Sequence, residues 1–94
     1  MKNCYLLAHD TAAASHEQMK TILNAIKEVV TWRSEIACVF FVVSESSASE
    51  LTPLIRKQTG EKGRFILSEI THNRNGWVTP DSWHIINHKA LKAP

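Results

Sequence analysis

The chain has 94 residues, 44% hydrophobic and 21% charged, with a formal net charge of +2. That length holds one domain with a modest core and no second domain. The charge is too small for bulk electrostatics to mark a nucleic-acid binder, although a local basic patch remains open. The apolar runs are too short to cross a bilayer and no secretory leader pattern is visible, so the expectation is a soluble, cytoplasmic protein without a membrane partner. The two cysteines, Cys4 and Cys38, sit inside apolar runs without metal-ligand spacing and read as buried reduced thiols.

Residues 3–10, Asn-Cys-Tyr-Leu-Leu-Ala-His-Asp, form an apolar run that ends on a carboxylate. Such a run reads as a buried strand, which places Cys4, Leu6, Ala8 and Asp10 on one face and Tyr5, Leu7 and His9 on the other. Ser15 and Gln18 then have capping-box spacing. Met19, Ile22, Leu23, Ile26, Val29 and Val30 follow at the spacing of one helix face, so the pattern predicts a helix over 15–30. Residues 31–36 suit a short strand and 37–43, the most hydrophobic run, a central one. The turn between them is expected at Arg33-Ser34-Glu35.

The polar stretch 44–49 feeds a second helix with two candidate starts. Ser47 and Glu50 form a capping box that leaves Pro53 past the first turn, whereas a Thr52 cap puts Pro53 at the first helical position. Gly60 is the expected stop, and 64–71 the fourth strand. Thr79-Pro80-Asp81 opens a short helix in the tail, with Trp83, Ile86 and Ala90 expected toward the core. The order strand, helix, strand, strand, helix, strand predicts an α+β, ferredoxin-like βαββαβ domain over 1–94. Its sheet is four-stranded and antiparallel, with the first and third strands central, two helices on one face and a C-terminal tail. A sheet face covered only by a small tail points to a homodimer.

The strand at 5–10, the helix ending before Thr31-Trp32, the 39–43 strand, Ser47-Ala48-Ser49-Glu50-Leu51 and the tryptophans Trp77 and Trp83 resemble SinR-family proteins. These are relatives of the CRISPR-associated Cas-two nucleases and of the VapD toxins. The resemblance spans nearly the whole chain but consists of loose patterns, and His9 stands where Cas-two sequences usually carry tyrosine. It implies a homodimer acting on nucleic acid as a metal-dependent endonuclease. Asp10 of both subunits would then hold Mg2+ or Mn2+ in a shared cleft. Read from the residues and not from the resemblance, His9 is a candidate proton carrier because it neighbours Asp10, although strand alternation points it to the opposite face. The alternative is a non-catalytic scaffold in a defence or toxin–antitoxin setting. A small-molecule regulatory domain is a third reading, with no glycine cluster to support it.

On the residues alone, Asp10 reads equally as the carboxylate that organises the turn behind the strand. Arg56, Lys57, Lys62 and Arg64 gather around the Gly60 turn, and Arg33 and Arg74 complete the candidate nucleic-acid contacts. A helix end that favours cations for its dipole is the plainer account of that cluster. The five histidines (His9, His16, His72, His84 and His88) show no zinc spacing. Trp32, Trp77 and Trp83 suit core packing as well as base stacking.

Overall fold

The computed structural model describes residues 1–91. It is an α+β, ferredoxin-like domain. Its elements are β1 (Asn3–His9), α1 (His16–Ala25), β2 (Val29–Ile36), β3 (Val39–Ser44), α2 (Ala48–Gln58), β4 (Phe65–Glu69) and α3 (Pro80–His88). The four strands form one antiparallel sheet in the order β2-β3-β1-β4, which puts the two most apolar strands in the centre. The register pairs Cys4 with Val43, Leu6 with Phe41 and Ala8 with Val39 on one side of β1. On the other side Tyr5 pairs with Glu69, Leu7 with Leu67 and Ala8 with Ile66.

Alternation divides the core between the two sheet faces. Tyr5, Leu7, Phe40 and Val42 point to one face and pack against Met19 and Leu23 of α1, Ile26 just after it, and Leu51 and Ile55 of α2. Burying each such aliphatic side chain contributes roughly 1.5–3 kcal/mol. Cys4, Phe41 and Val43 point to the other face, where Ile85 and Ile86 of α3 cover them. The tail helix therefore shields the half of the second face around Cys4, and that half gives no ground for a dimer. Toward Asp10 the same face stays open at Leu6 and Ile66, the latter 66% exposed.

Both capping boxes form. Ser15 accepts from Gln18 N (3.0 Å) while Gln18 accepts from Ser15 N (2.8 Å), and Ser47 and Glu50 do the same at 3.2 and 2.8 Å. Pro53 consequently lies inside α2, on its exposed side, rather than at its start. The helix ends in a double reversal: Gly60 N donates to Lys57 O (3.2 Å), Glu61 N donates to Arg56 O (3.0 Å), and Gly60 is left-handed at φ 68°.

Four expectations are corrected. Helix α1 stops at Ala25, because Val29 and Val30 extend β2, pairing Val29 with Ser44. The hairpin turns at Ala37 and Cys38, between the paired Ile36 and Val39, and not at Arg33-Ser34-Glu35, which belong to β2. Ser34 Oγ closes this turn on Ile36 O (3.1 Å) and Val39 O (2.5 Å). Helix α3 turns Ile86 and, at the margin, Trp83 toward the core as expected, but it buries Ser82 and Ile85 as well and leaves Ala90 exposed. Strand β4 is also shorter than expected, since Arg64, Ile70 and Thr71 lie outside it. Residues 92–94 of the tail fall outside the described residues.

Candidate functional site

At the end of β1, Asp10 closes the corner where three chain segments meet. Its Oδ1 accepts from Ala13 N (2.9 Å) and Arg64 N (3.1 Å), its Oδ2 also lies 3.2 Å from Arg64 N, and Asp10 N donates to Arg64 O (3.0 Å). One carboxylate thus ties the turn before α1 to the entry of β4. The bond from Ala13 N and then that from Arg64 N hold the carboxyl below its usual value, with a smaller contribution from the Arg64 cation. Gly63 makes the approach possible. Its φ is 69°, and a Cβ there would lie 2.1 Å from Ala13 N and 2.4 Å from Asp10 Oδ1. Only glycine fits on both counts.

A carboxylate lined by N–H donors is an arrangement that stabilises the anion internally. Each chain supplies this single carboxylate at the corner, and among the described residues no three His, Cys, Asp or Glu side chains gather to hold a metal. In one chain both carboxylate oxygens of Asp10 already lie within reach of N–H donors, and the shared Mg2+ or Mn2+ site that the resemblance implies needs the Asp10 of a second chain. His84 and His88 do share a helix face, with ring centroids 4.5 Å apart, but among the described residues no third ligand joins them.

His9 follows the strand alternation onto the helix-bearing face, where it stacks on Phe40 at 5.8 Å. Its Nδ1 lies 2.8 Å from Asp10 O, and because a carbonyl only accepts, Nδ1 carries the proton. Nε2 is buried with no hydrogen-bond partner among the described residues. His9 is 9% exposed, and it lines a shallow surface hollow together with Asp10, Arg64 and Phe65. His16 stacks on the same Phe40 at 4.8 Å and accepts from Cys38 N (3.0 Å).

The candidate basic residues separate into three places. Arg56, Lys62 and Arg64 line one open cleft of about 390 Å3 together with Thr52 and Thr59. Lys57 stands beside Arg56 on an adjoining surface hollow. Arg56 is paired with Glu61 at 3.0 Å, and Arg64 Nη1 donates to Gly63 O at 2.9 Å, so Lys62 and Lys57 carry the less committed charges.

Arg33 is elsewhere, on β2. Its Nε donates to Ser82 Oγ (2.9 Å) and its Nη2 to Thr79 Oγ1 (3.3 Å). Glu35 joins them, accepting from Thr79 N (3.0 Å), Thr79 Oγ1 (2.7 Å) and Ser82 Oγ. The pair clamps the start of α3 to the sheet, and the Thr79 hydroxyl is spent on this clamp instead of capping its own helix. Hydrogen bonds from Ser82 and then Thr79 lower the Glu35 carboxyl below its usual value. Arg74 is also committed, to Thr71 O (2.9 Å) and Asn87 Oδ1 (2.6 Å) at the far end of α3. The structure thus removes Arg33 and Arg74 from the basic cluster. Sequence reasoning did not identify Glu35, Thr79 and Ser82 as one clamp, because partners 44 to 49 residues apart leave no local signal.

Among the described residues no helix is long and apolar enough to cross a membrane. The chain matches no protein-family model, no curated protein and no solved structure.

Proposed function

We propose that this protein binds the phosphate backbone of nucleic acid at the corner formed by Arg56, Lys57, Lys62 and Arg64, without cutting it. The observation that carries this reading is the convergence of Arg56, Lys62 and Arg64 on one open cleft, although they span the helix end, the reversal and the strand entry. Cations on a compact loop bind phosphates by charge and hydrogen bonding and read no sequence. The resemblance to SinR-family and Cas-two-like proteins points to the same ligand class. Asp10 serves this corner as an internal tie that fixes the Gly63-Arg64 backbone and so aims the two flanking cations.

The non-catalytic form of the reading rests on the Asp10 environment, in which N–H donors already take the carboxylate. Fluorescence anisotropy with a labelled single strand and a labelled duplex tests it. The expected result is salt-dependent binding that the double change Lys62→Glu, Arg64→Glu weakens roughly tenfold or more. The same change lowers the salt slope by about 2, while Arg74→Gln leaves binding unchanged. Absence of binding at low salt, or indifference to the double reversal, sinks the proposal. Cleavage that requires Mg2+ or Mn2+ and disappears in Asp10→Asn restores the nuclease reading.

A further inference from the structure

We propose that a second copy of this chain pairs with the open edge of β4 in antiparallel register about Ile66, joining two sheets into one. Among the described residues strand β4 pairs only with β1. Ile70 N donates to Cys4 O (2.8 Å) and Asp10 N to Arg64 O (3.0 Å), so residues 64, 66, 68 and 70 direct their backbone groups toward β1. By alternation Phe65, Leu67 and Glu69 direct theirs outward, where nothing in the sheet receives them.

The two free edges of the sheet are built differently. Strand β2 breaks its ladder with register shifts between Val29 and Thr31 and between Arg33 and Ile36, and α3 is clamped onto it through Arg33 and Glu35. Bulges and cover are the usual means of blocking an edge. Strand β4 reads Phe-Ile-Leu-Ser-Glu and has neither bulge nor proline nor lysine. It also displays Ile66 at 66% exposure. This edge is open to a partner strand, and its own side chains select which one.

A two-fold axis at Ile66 sets that residue against the partner's Ile66 on the open face. On the helix-bearing face it sets Phe65 against the partner's Leu67. Arg64 then faces the partner's Ser68, and Glu69 faces the partner's Gly63, so no like charges are opposed. An axis at Leu67 would place Phe65 opposite glutamate and Ile66 opposite serine. An axis at Ser68 would place Leu67 opposite glutamate. Self-pairing about Ile66 is the register of the three that matches apolar with apolar over residues 65–67, and it adds about four backbone hydrogen bonds. A two-fold contact of this kind satisfies both edges at once.

The test uses the full chain and multi-angle light scattering at tens of micromolar. The parent is expected to be a dimer. Ile66→Lys and Ile66→Glu, each with an unchanged circular dichroism spectrum, are expected to weaken dimerisation roughly tenfold or more, because like charges then meet across the axis. Mixing the two variants is expected to restore a dimer, an outcome that misfolding cannot produce. Amide exchange at Leu67 is expected to be slow in the parent and fast in Ile66→Lys. A monomeric parent, an Ile66→Lys protein that stays dimeric, or dissociation caused instead by Trp77→Ala would overturn the proposal.

Discussion

A carboxylate at a strand end draws either a cation or the nearest N–H groups, and at Asp10 the N–H groups of Ala13 and Arg64 lie within 3.2 Å. The charge is stabilised within the fold, which is why the carboxyl is held below its ordinary value of about 3.9. The sign of the pH effect follows. A group with a depressed folded pKa contributes stability above its unfolded value and loses it as pH falls through the folded one. Asp10 therefore supports the fold above about pH 4 and ceases to do so in more acidic solution. Asp10→Asn removes that dependence and sets an amide N–H2 or a neutral oxygen against the Arg64 N–H. In urea titrations at neutral and acidic pH, the parent should lose more stability on acidification than the variant. Glu17, Glu35 and Glu50 also have depressed values, but they are common to both proteins and drop out of the difference. Equal losses in the two proteins would show that Asp10 contributes nothing to the tie.

Local chemistry made some elements legible and left others hidden. Ser15 with Gln18 declares its helix start because the cap is completed within four residues, whereas Ser47 with Glu50 competes with Thr52-Pro53 and only the structure decides for Ser47. The central strands declare themselves by apolar content. The hairpin does not, because its turn is made by Ala37 and Cys38, and Cys38 takes φ 58° without being Gly, Asn or Asp. The inward face of α3 is legible only in part: Ile86 and Trp83 meet the core as their spacing suggests, whereas Ala90 does not, and Ser82 is buried by its bonds to Arg33 and Glu35. At the candidate site, the basic cluster around Gly60 was visible as a run of charge. The roles of Gly63 and of the Arg33 clamp were not visible, as both depend on segments distant in sequence. The left-handed Cys38 supports a prediction at this scale. A left-handed L-residue costs roughly 1–2 kcal/mol, partly offset by the larger chain entropy that glycine loses on folding. Cys38→Gly should therefore raise stability by roughly 0.5–1 kcal/mol in chemical denaturation. A loss of stability would mean that the Cys38 side chain contributes more to packing than its turn costs.

For the molecule as a whole, the sheet carries two unequal layers. Helices α1 and α2 cover the larger cluster, whereas α3 holds the other face with Ile85, Ile86 and the polar clamp. The layer with fewer apolar partners opens first under local unfolding. Cys4 lies directly beneath α3, fully buried, and burial pushes its thiol up to about 11, against weaker opposing effects of Lys89 and Arg74. At neutral pH it is therefore a protonated, covered thiol that reacts only when α3 lifts and water reaches it. In the Cys38→Gly background Cys4 is the sole thiol, so its modification rate by a small disulfide reagent measures the opening of that layer. Glu35→Gln removes the charge that receives Thr79 N, Thr79 Oγ1 and Ser82 Oγ, and it leaves Arg33 without its carboxylate neighbour. The modification of Cys4 should then accelerate several-fold, while the urea midpoint followed by far-ultraviolet circular dichroism moves comparatively little. If Glu35→Gln leaves the Cys4 rate unchanged, or if Cys4 reacts only in step with global unfolding, the two layers form one cooperative unit and the clamp does not control a separate opening of α3.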